Sequence, residues 1–131
     1  MKVTRLIVML CGAGLLLTLL GCAGTRKNDP NVLARSQRVQ AAMSDIASAV
    51  DRYQDEHGYF PKGMATLRET GYLSIMPDLT REWNFDYRTD GGQVMMVEAV
   101  STGLMPDGEG RRIQFRVPDD HWTGYGIDDW P

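Results

Sequence analysis

The feature that most constrains the fold is a helical repeat of apolar residues between Asp29-Pro30 and Gly58. Aspartate followed by proline is a helix start signal, because the carboxylate caps free N–H groups and proline suits the first turn, whereas glycine often ends a helix. The spacing predicts one α-helix from about residue 31 to residue 57 with a single apolar stripe, which a second layer must cover. The larger apolar residues of this segment are Val32, Val39, Met43, Ile46, Val50 and Tyr53.

The opposite side of this predicted helix is small or polar. Its residues are Gln37, Gln40, Ala41, Ser44, Ser48, Asp51 and Asp55. A side of this composition does not need to be buried, so we expect it to face solvent or a partner protein.

After Gly58 the periodicity changes from helical to alternating. Residues 64–70 predict two helical turns, whereas residues 83–88 alternate aromatic and polar side chains, which is typical of a half-buried strand with three rings on one face. Asp90-Gly91-Gly92 predicts a tight turn. Residues 112–117 predict a further strand that Pro118 ends, and residues 123–127 a short edge strand.

Residues 93–100 predict a strand that is apolar on both faces, and therefore the central strand of the sheet. Strict alternation assigns its side chains to two faces, with Val94, Met96 and Val100 on one and Met95, Val97 and Ala99 on the other. The pattern predicts an α+β fold in residues 32–131, with a long N-terminal helix packed on a three- to four-stranded antiparallel sheet.

The first 21 residues have the composition of an export signal. A basic start with Lys2 and Arg5 precedes an apolar run from Leu6 to Leu20. This run is shorter than the roughly 20 apolar residues that a membrane-spanning helix needs.

The run ends in Leu19-Leu20-Gly21-Cys22, which resembles the lipobox of bacterial lipoproteins. The resemblance implies cleavage between Gly21 and Cys22 and a lipid, with fatty acyl chains such as palmitate, attached to Cys22. Residues 22–31 would then be the lipidated cysteine and a polar tether. Ala23, in place of an aspartate, implies sorting to the outer membrane with the head facing the periplasm. An uncleaved anchor or a plain secretory signal is the alternative interpretation.

Cysteine content and charge exclude several functions. The chain has two cysteines, Cys11 and Cys22, so a mature lipoprotein would have no disulfide, no thiol nucleophile and no thiolate metal site. Its formal net charge is −3, and removal of a signal with two basic residues makes the remainder more acidic. Nucleic acid is therefore not an expected partner, because phosphate binding requires a basic surface.

Residues 39–61, together with Gly71-Tyr72-Leu73, Met76-Pro77 and residues 83–88, resemble the major pseudopilins of type II secretion. The resemblance implies the soluble half of a long helix, the loop that follows it and the start of the sheet. The chain departs from the family because it has no prepilin peptidase site and no hydrophobic stem with a glutamate near its start. A lipidated head without that stem would sit alone, or in a small complex, on a membrane surface.

Few residues suggest chemistry. His57 falls at the predicted end of the long helix, where an imidazole caps free carbonyl groups. No serine nucleophile motif or zinc-binding His-Glu-x-x-His pattern accompanies His57. His121 follows Asp119 and Asp120, which could form a ligand cluster with it, but two histidines without a cysteine make a weak case for zinc.

A calcium site is the metal prediction. Pseudopilins bind calcium in a C-terminal loop, and the Asp107-Gly108 pair resembles the start of that loop. The resemblance implies Asp107 alone as a ligand. The later ligands of the family's loop do not align with this chain, because the predicted strand at residues 112–117 interrupts it, and Asp119 and Asp120 are further candidates from their position only. The simpler interpretation is that these acidic residues solvate a surface rich in turns, since calcium needs six or more converging oxygen atoms.

These features predict a non-enzymatic, lipid-anchored periplasmic protein with a pseudopilin-like head, which acts as an interaction module associated with type II secretion or pilus-like assembly. The predicted partner surface is the polar side of the long helix plus the acidic C-terminal loops. One alternative is a calcium- or small-ligand-binding lipoprotein unrelated to secretion. The other is a small periplasmic hydrolase that uses His121 and nearby acids.

Overall fold

A long helix lies across a four-stranded antiparallel sheet in the computed structural model, which describes residues 29–127. The strands follow one another in the order β1-β2-β3-β4. The predicted α+β architecture, with a long helix on an antiparallel sheet, is confirmed. The elements are α1 (Pro30–His57), α2 (Met64–Glu69), α3 (Pro77–Glu82), β1 (Trp83–Asp90), β2 (Gln93–Ser101), β3 (Arg112–Arg116) and β4 (His121–Gly124).

Helix α1 begins and ends where the sequence predicts. The Asp29 side chain accepts a hydrogen bond from the Asn31 N–H at 2.8 Å, and Pro30 is the first helical residue. Gly58 adopts a left-handed conformation with φ of 77°, and its N–H donates to the Gln54 carbonyl. The whole predicted apolar stripe is buried, and Ala42, Ala47 and Ala49 extend it.

The core lies between α1 and the inner face of the sheet. Trp83 and Phe85 of β1 are buried and Tyr87 is half-buried, which confirms the predicted row of three rings. Strand β2 pairs with both β1 and β3, so its predicted interior position is also confirmed. From β3, Ile113 and Phe115 complete the inner layer.

The predicted assignment of side chains to the two faces of β2 is wrong at its start. Arg88 pairs with Met96 but Thr89 pairs with Val94, so Met95 is an extra residue in a β-bulge. A bulge resets the alternation of side chains. Val94 therefore reaches the core together with Val97, at 2% and 0% exposure.

Two further elements differ from the prediction. Helix α3 forms in a segment for which the sequence predicts no element, beginning at Pro77, which suits a first helical turn. The last strand is two residues earlier than predicted, because β4 begins at His121 and the chain leaves the sheet at Gly124. Residues 125–127 then form a turn against α1 rather than an edge strand.

Candidate interaction surface

The polar side of α1 remains uncovered by the rest of the described chain. Gln40 is half-buried there and the other predicted members, Gln37, Ala41, Ser44, Ser48, Asp51 and Asp55, are exposed. Partial burial raises the pKa of Asp51, and the negative charge of Asp55 one turn further along raises it as well. This side therefore combines small residues, which allow close approach of a partner, with acidic residues near its C-terminal end.

A groove runs between α1 and α3. It consists of two adjoining depressions of about 190 and 120 Å³ that share Arg38. Arg38 forms no ion pair with another residue in the range 29–127. The first depression is lined by Arg38, Asp78, Arg81, Glu82 and Leu104, and the second by Arg38, Ala41, Ala42, Asp45, Ser74, Ile75, Met76 and Leu79.

The groove combines charged side chains with exposed apolar ones. Each depression is smaller than the roughly 300–1,000 Å³ of typical ligand pockets. Two large apolar side chains, Leu104 and Met76, are 64% and 56% exposed beside it. Side chains of a partner protein could pack against these residues and pair with the charged groups of the groove.

Asp107, the first predicted calcium ligand, is bound by two groups of the same chain. Its Oδ2 accepts hydrogen bonds from the Arg35 guanidinium and from the Tyr125 hydroxyl. The hydrogen bond with Tyr125 raises the pKa of Arg35, and the Asp107 charge raises it as well. Burial raises the pKa of the Tyr125 hydroxyl, and its hydrogen bond to Asp107 raises it further.

The other two predicted ligands lie elsewhere. Asp119 is exposed in the turn between β3 and β4 and forms an ion pair with Arg116 at 3.4 Å. Asp120 follows it with φ of 47°. The structure does not bring Asp107 together with these residues. Within residues 29–127, no three side chains of the histidine, cysteine, aspartate or glutamate type are grouped so that they could hold a metal ion.

The two histidines have different surroundings. The Nδ1 atom of His57 lies 2.9 Å from the Tyr53 carbonyl oxygen, and its ring stacks on the Tyr53 ring with centroids 4.1 Å apart. The predicted position of His57 at the helix end is confirmed, since α1 ends at this residue. His121 is exposed at the start of β4, opposite Arg116. No side-chain hydrogen bond joins it to another residue of the described range.

Sequence reasoning missed Arg35, Ser36 and Tyr125. Arg35 and Ser36 fall on the apolar side of α1, among the six residues between Val32 and Val39, and Ser36 is fully buried. The Ser36 hydroxyl donates to the Tyr125 carbonyl at 2.8 Å. A polar pair that interrupts an apolar stripe is the sequence signal that indicates this contact, because buried polar groups need partners.

The predicted lipidation site, Cys22, and the cleavage site at Gly21 lie outside the described residues, as do the export signal and the tether up to residue 28. Among the helices of residues 29–127, none has the length and apolarity to cross a membrane. Comparison of the chain with protein-family models, with curated proteins and with solved structures finds no match.

Proposed function

We propose that this chain is a lipoprotein, anchored through Cys22 to the periplasmic face of the outer membrane, whose pseudopilin-like head is a non-enzymatic interaction module. Its partners belong to a type II secretion or pilus-like assembly. The observation that carries this proposal is the position of α1. The helix begins at Pro30, only eight positions after the cysteine, and leaves a polar side and a groove uncovered.

The tether between the lipid anchor and α1 is short. Seven residues separate Cys22 from Pro30, and an extended chain of that length spans at most about 25 Å. A head anchored in this way stays close to the leaflet, so the exposed side of α1 is presented to membrane-associated partners. A protein held at a surface meets such partners at a raised effective concentration.

The architecture supports a pilin-like head. A helix of 28 residues, packed along one side on an antiparallel sheet, agrees with the resemblance of residues 39–61 and 83–88 to pseudopilins. The lipid would replace the hydrophobic stem through which pseudopilins polymerise. The head would then bind an assembly from the side or at its base instead of being a repeating subunit of the fibre.

The anchor is tested by Cys22→Ser in the full-length chain. We expect loss of the acyl modification by mass spectrometry and release of the protein from the membrane fraction. Cys11→Ser is the matched control, because this cysteine lies within the proposed export signal and should leave lipidation unchanged. An unmodified protein that begins at Met1 would contradict the anchor.

The interaction is tested by placing a photo-crosslinking residue at Ala41, on the exposed side of α1, and at Gln114, on the face of the sheet away from α1. We expect Ala41 to crosslink to a component of a secretion or pilus-like assembly and Gln114 not to do so. Equal crosslinking from both positions would contradict α1 as the binding side.

The hydrolase alternative is tested by His121→Ala. An unchanged phenotype of this variant would eliminate that alternative.

A further inference from the structure

The loop between β2 and β3 is held by hydrogen bonds within its own backbone and by one buried serine. Ser101, which is 2% exposed, donates its hydroxyl to the Gly108 carbonyl and accepts from the Arg111 N–H, both at 2.7 Å. The Met105 side chain is 2% exposed and anchors the loop in the core. These contacts of Ser101 and Met105 hold the loop in a defined shape without a bound ion.

One side chain of this loop carries a partly shielded negative charge. The Asp107 and Arg35 side chains are 23% and 21% exposed, and Oδ2 of Asp107 accepts from both Arg35 and Tyr125. Arg35 Nη1 also lies 3.2 Å from the Tyr125 hydroxyl. The Tyr125 ring packs against that of buried Trp83, with centroids 5.7 Å apart. The cluster joins α1, the β2–β3 loop and the turn after β4.

The donor set does not fit a calcium ion. Calcium is bound by six to eight oxygen atoms, but here a guanidinium and a hydroxyl already donate to the carboxylate, and a dication beside Arg35 would be repelled. The other proposed ligands lie beyond the far end of β3. Asp107 lies near the start of β3, where the Arg111 side chain donates a hydrogen bond to the Asp107 carbonyl. Asp119 and Asp120 follow the end of β3, and the five residues of this strand span roughly 15 Å.

We propose that the Arg35 guanidinium is the built-in cation of the β2–β3 loop, so that a latch of Arg35, Asp107 and Tyr125 holds this loop and the C-terminal turn against α1 without a divalent metal. In this latch, the positive charge that compensates the Asp107 carboxylate comes from Arg35 instead of from a metal ion. Folding of this end of the molecule is therefore independent of the calcium concentration in the periplasm.

Thermal unfolding of the full-length protein in detergent tests this proposal. We expect the same Tm in a calcium chelator and in roughly 1 mM calcium, the weak end of protein calcium affinities. A ligand that binds only the folded state must raise the midpoint. A rise of Tm with calcium that Asp107→Asn abolishes would overturn the proposal.

The role of the guanidinium is tested by Arg35→Met, which keeps the length of the aliphatic side chain but removes the charge. We expect Tm to fall by about 4–8 °C, the shift that corresponds to about 1 kcal/mol in a domain of this size, and calcium not to restore it. Arg38→Met is the matched control, since Arg38 lies one turn further along α1 with no ion pair in residues 29–127, and it should leave Tm unchanged.

Two further variants test the same three-residue interaction, and Tyr125→Phe does so even if Arg35→Met does not fold. Tyr125→Phe removes only the hydroxyl and should lower Tm. Adding Asp107→Asn to Arg35→Met should lower Tm less than the two single changes together, because both remove the same interaction. An Arg35→Met protein that is as stable as the unchanged protein, or fully additive effects, would overturn the latch.

Discussion

At the scale of single residues, Gly124 controls where the last strand ends. Its backbone has φ of 109°, and a Cβ atom at this position would lie 2.1 Å from the Arg112 carbonyl oxygen. That carbonyl accepts a hydrogen bond from the Tyr125 N–H at 2.9 Å. The close approach of the two backbones lets Tyr125 turn away from the sheet toward Arg35. No other residue type fits this position without displacing β3 or β4.

We expect Gly124→Ala to destabilise the fold by about 2–4 kcal/mol, because it combines left-handed strain of roughly 1–2 kcal/mol with a backbone clash. Gly108→Ala is the control, since Gly108 has a similar φ of 99° and a Cβ atom added there would have no neighbour within 4 Å. Gly108→Ala should lower the free energy of unfolding only by the left-handed backbone strain of roughly 1–2 kcal/mol. Urea unfolding of both variants measures the difference, and equal losses would show that the close approach is unimportant.

At the scale of elements, α1 is held by packing rather than by intrinsic helix stability. An isolated helix is marginal in water, and most helical stability in proteins comes from burial of one face. The buried stripe of α1 contacts β1, β2 and β3, and Ile46 at its middle is 0% exposed. The caps at Asp29 and Gly58 define the ends of the helix, whereas the sheet keeps it in place.

Ile46→Ala should therefore lower the free energy of unfolding by about 2–5 kcal/mol, through lost burial and the cavity left behind. Ser48→Ala, two positions away on the exposed side, should change it by no more than about 0.5 kcal/mol. Chemical denaturation followed by circular dichroism compares the two variants. A small effect of Ile46→Ala would mean that α1 does not depend on the sheet.

At the scale of the whole molecule, tyrosines at both ends of α1 favour the neutral phenol. Burial raises the pKa of Tyr87 and of Tyr125. Near the C-terminal end of α1, hydrogen bonding to Glu56 raises the pKa of Tyr72, and hydrogen bonding with Tyr59 raises that of Tyr53. These groups bind α2 and the C-terminal turn to the helix, since Tyr72 follows α2 and Tyr125 follows β4.

Alkaline pH should consequently weaken the whole fold. A phenol with a raised pKa in the folded state stabilises the protein fully below its ordinary value near pH 10, and this contribution is lost as the pH rises through the folded-state pKa. We expect the denaturation midpoint to fall above about pH 10, and Tyr125→Phe to reduce the steepness of that fall. A midpoint that stays constant from about pH 9 to about pH 11 would contradict this linkage.

Local patterns were sufficient for much of this fold. The ends of α1 follow from Asp29-Pro30 and Gly58, because capping acts within one turn of a helix. Its buried side follows from a repeat of three and four residues that continues along the helix. The aromatic row of β1 and the interior place of β2 follow from alternation and from apolarity on both faces. In each case the physical cause lies within a few residues along the chain.

Tertiary structure decided the features that depend on distant residues. The bulge at Met95 arises from pairing with β1, the end of α3 is bound by Thr102, whose hydroxyl donates to the Arg81 carbonyl, and β4 ends where Gly124 meets Arg112. The pairing of Arg35 with Asp107 joins positions 72 residues apart, so spacing along the sequence could not reveal it. The sequence by itself determined the layers and the long helix, whereas only the packing of those layers decided which carboxylate meets which cation.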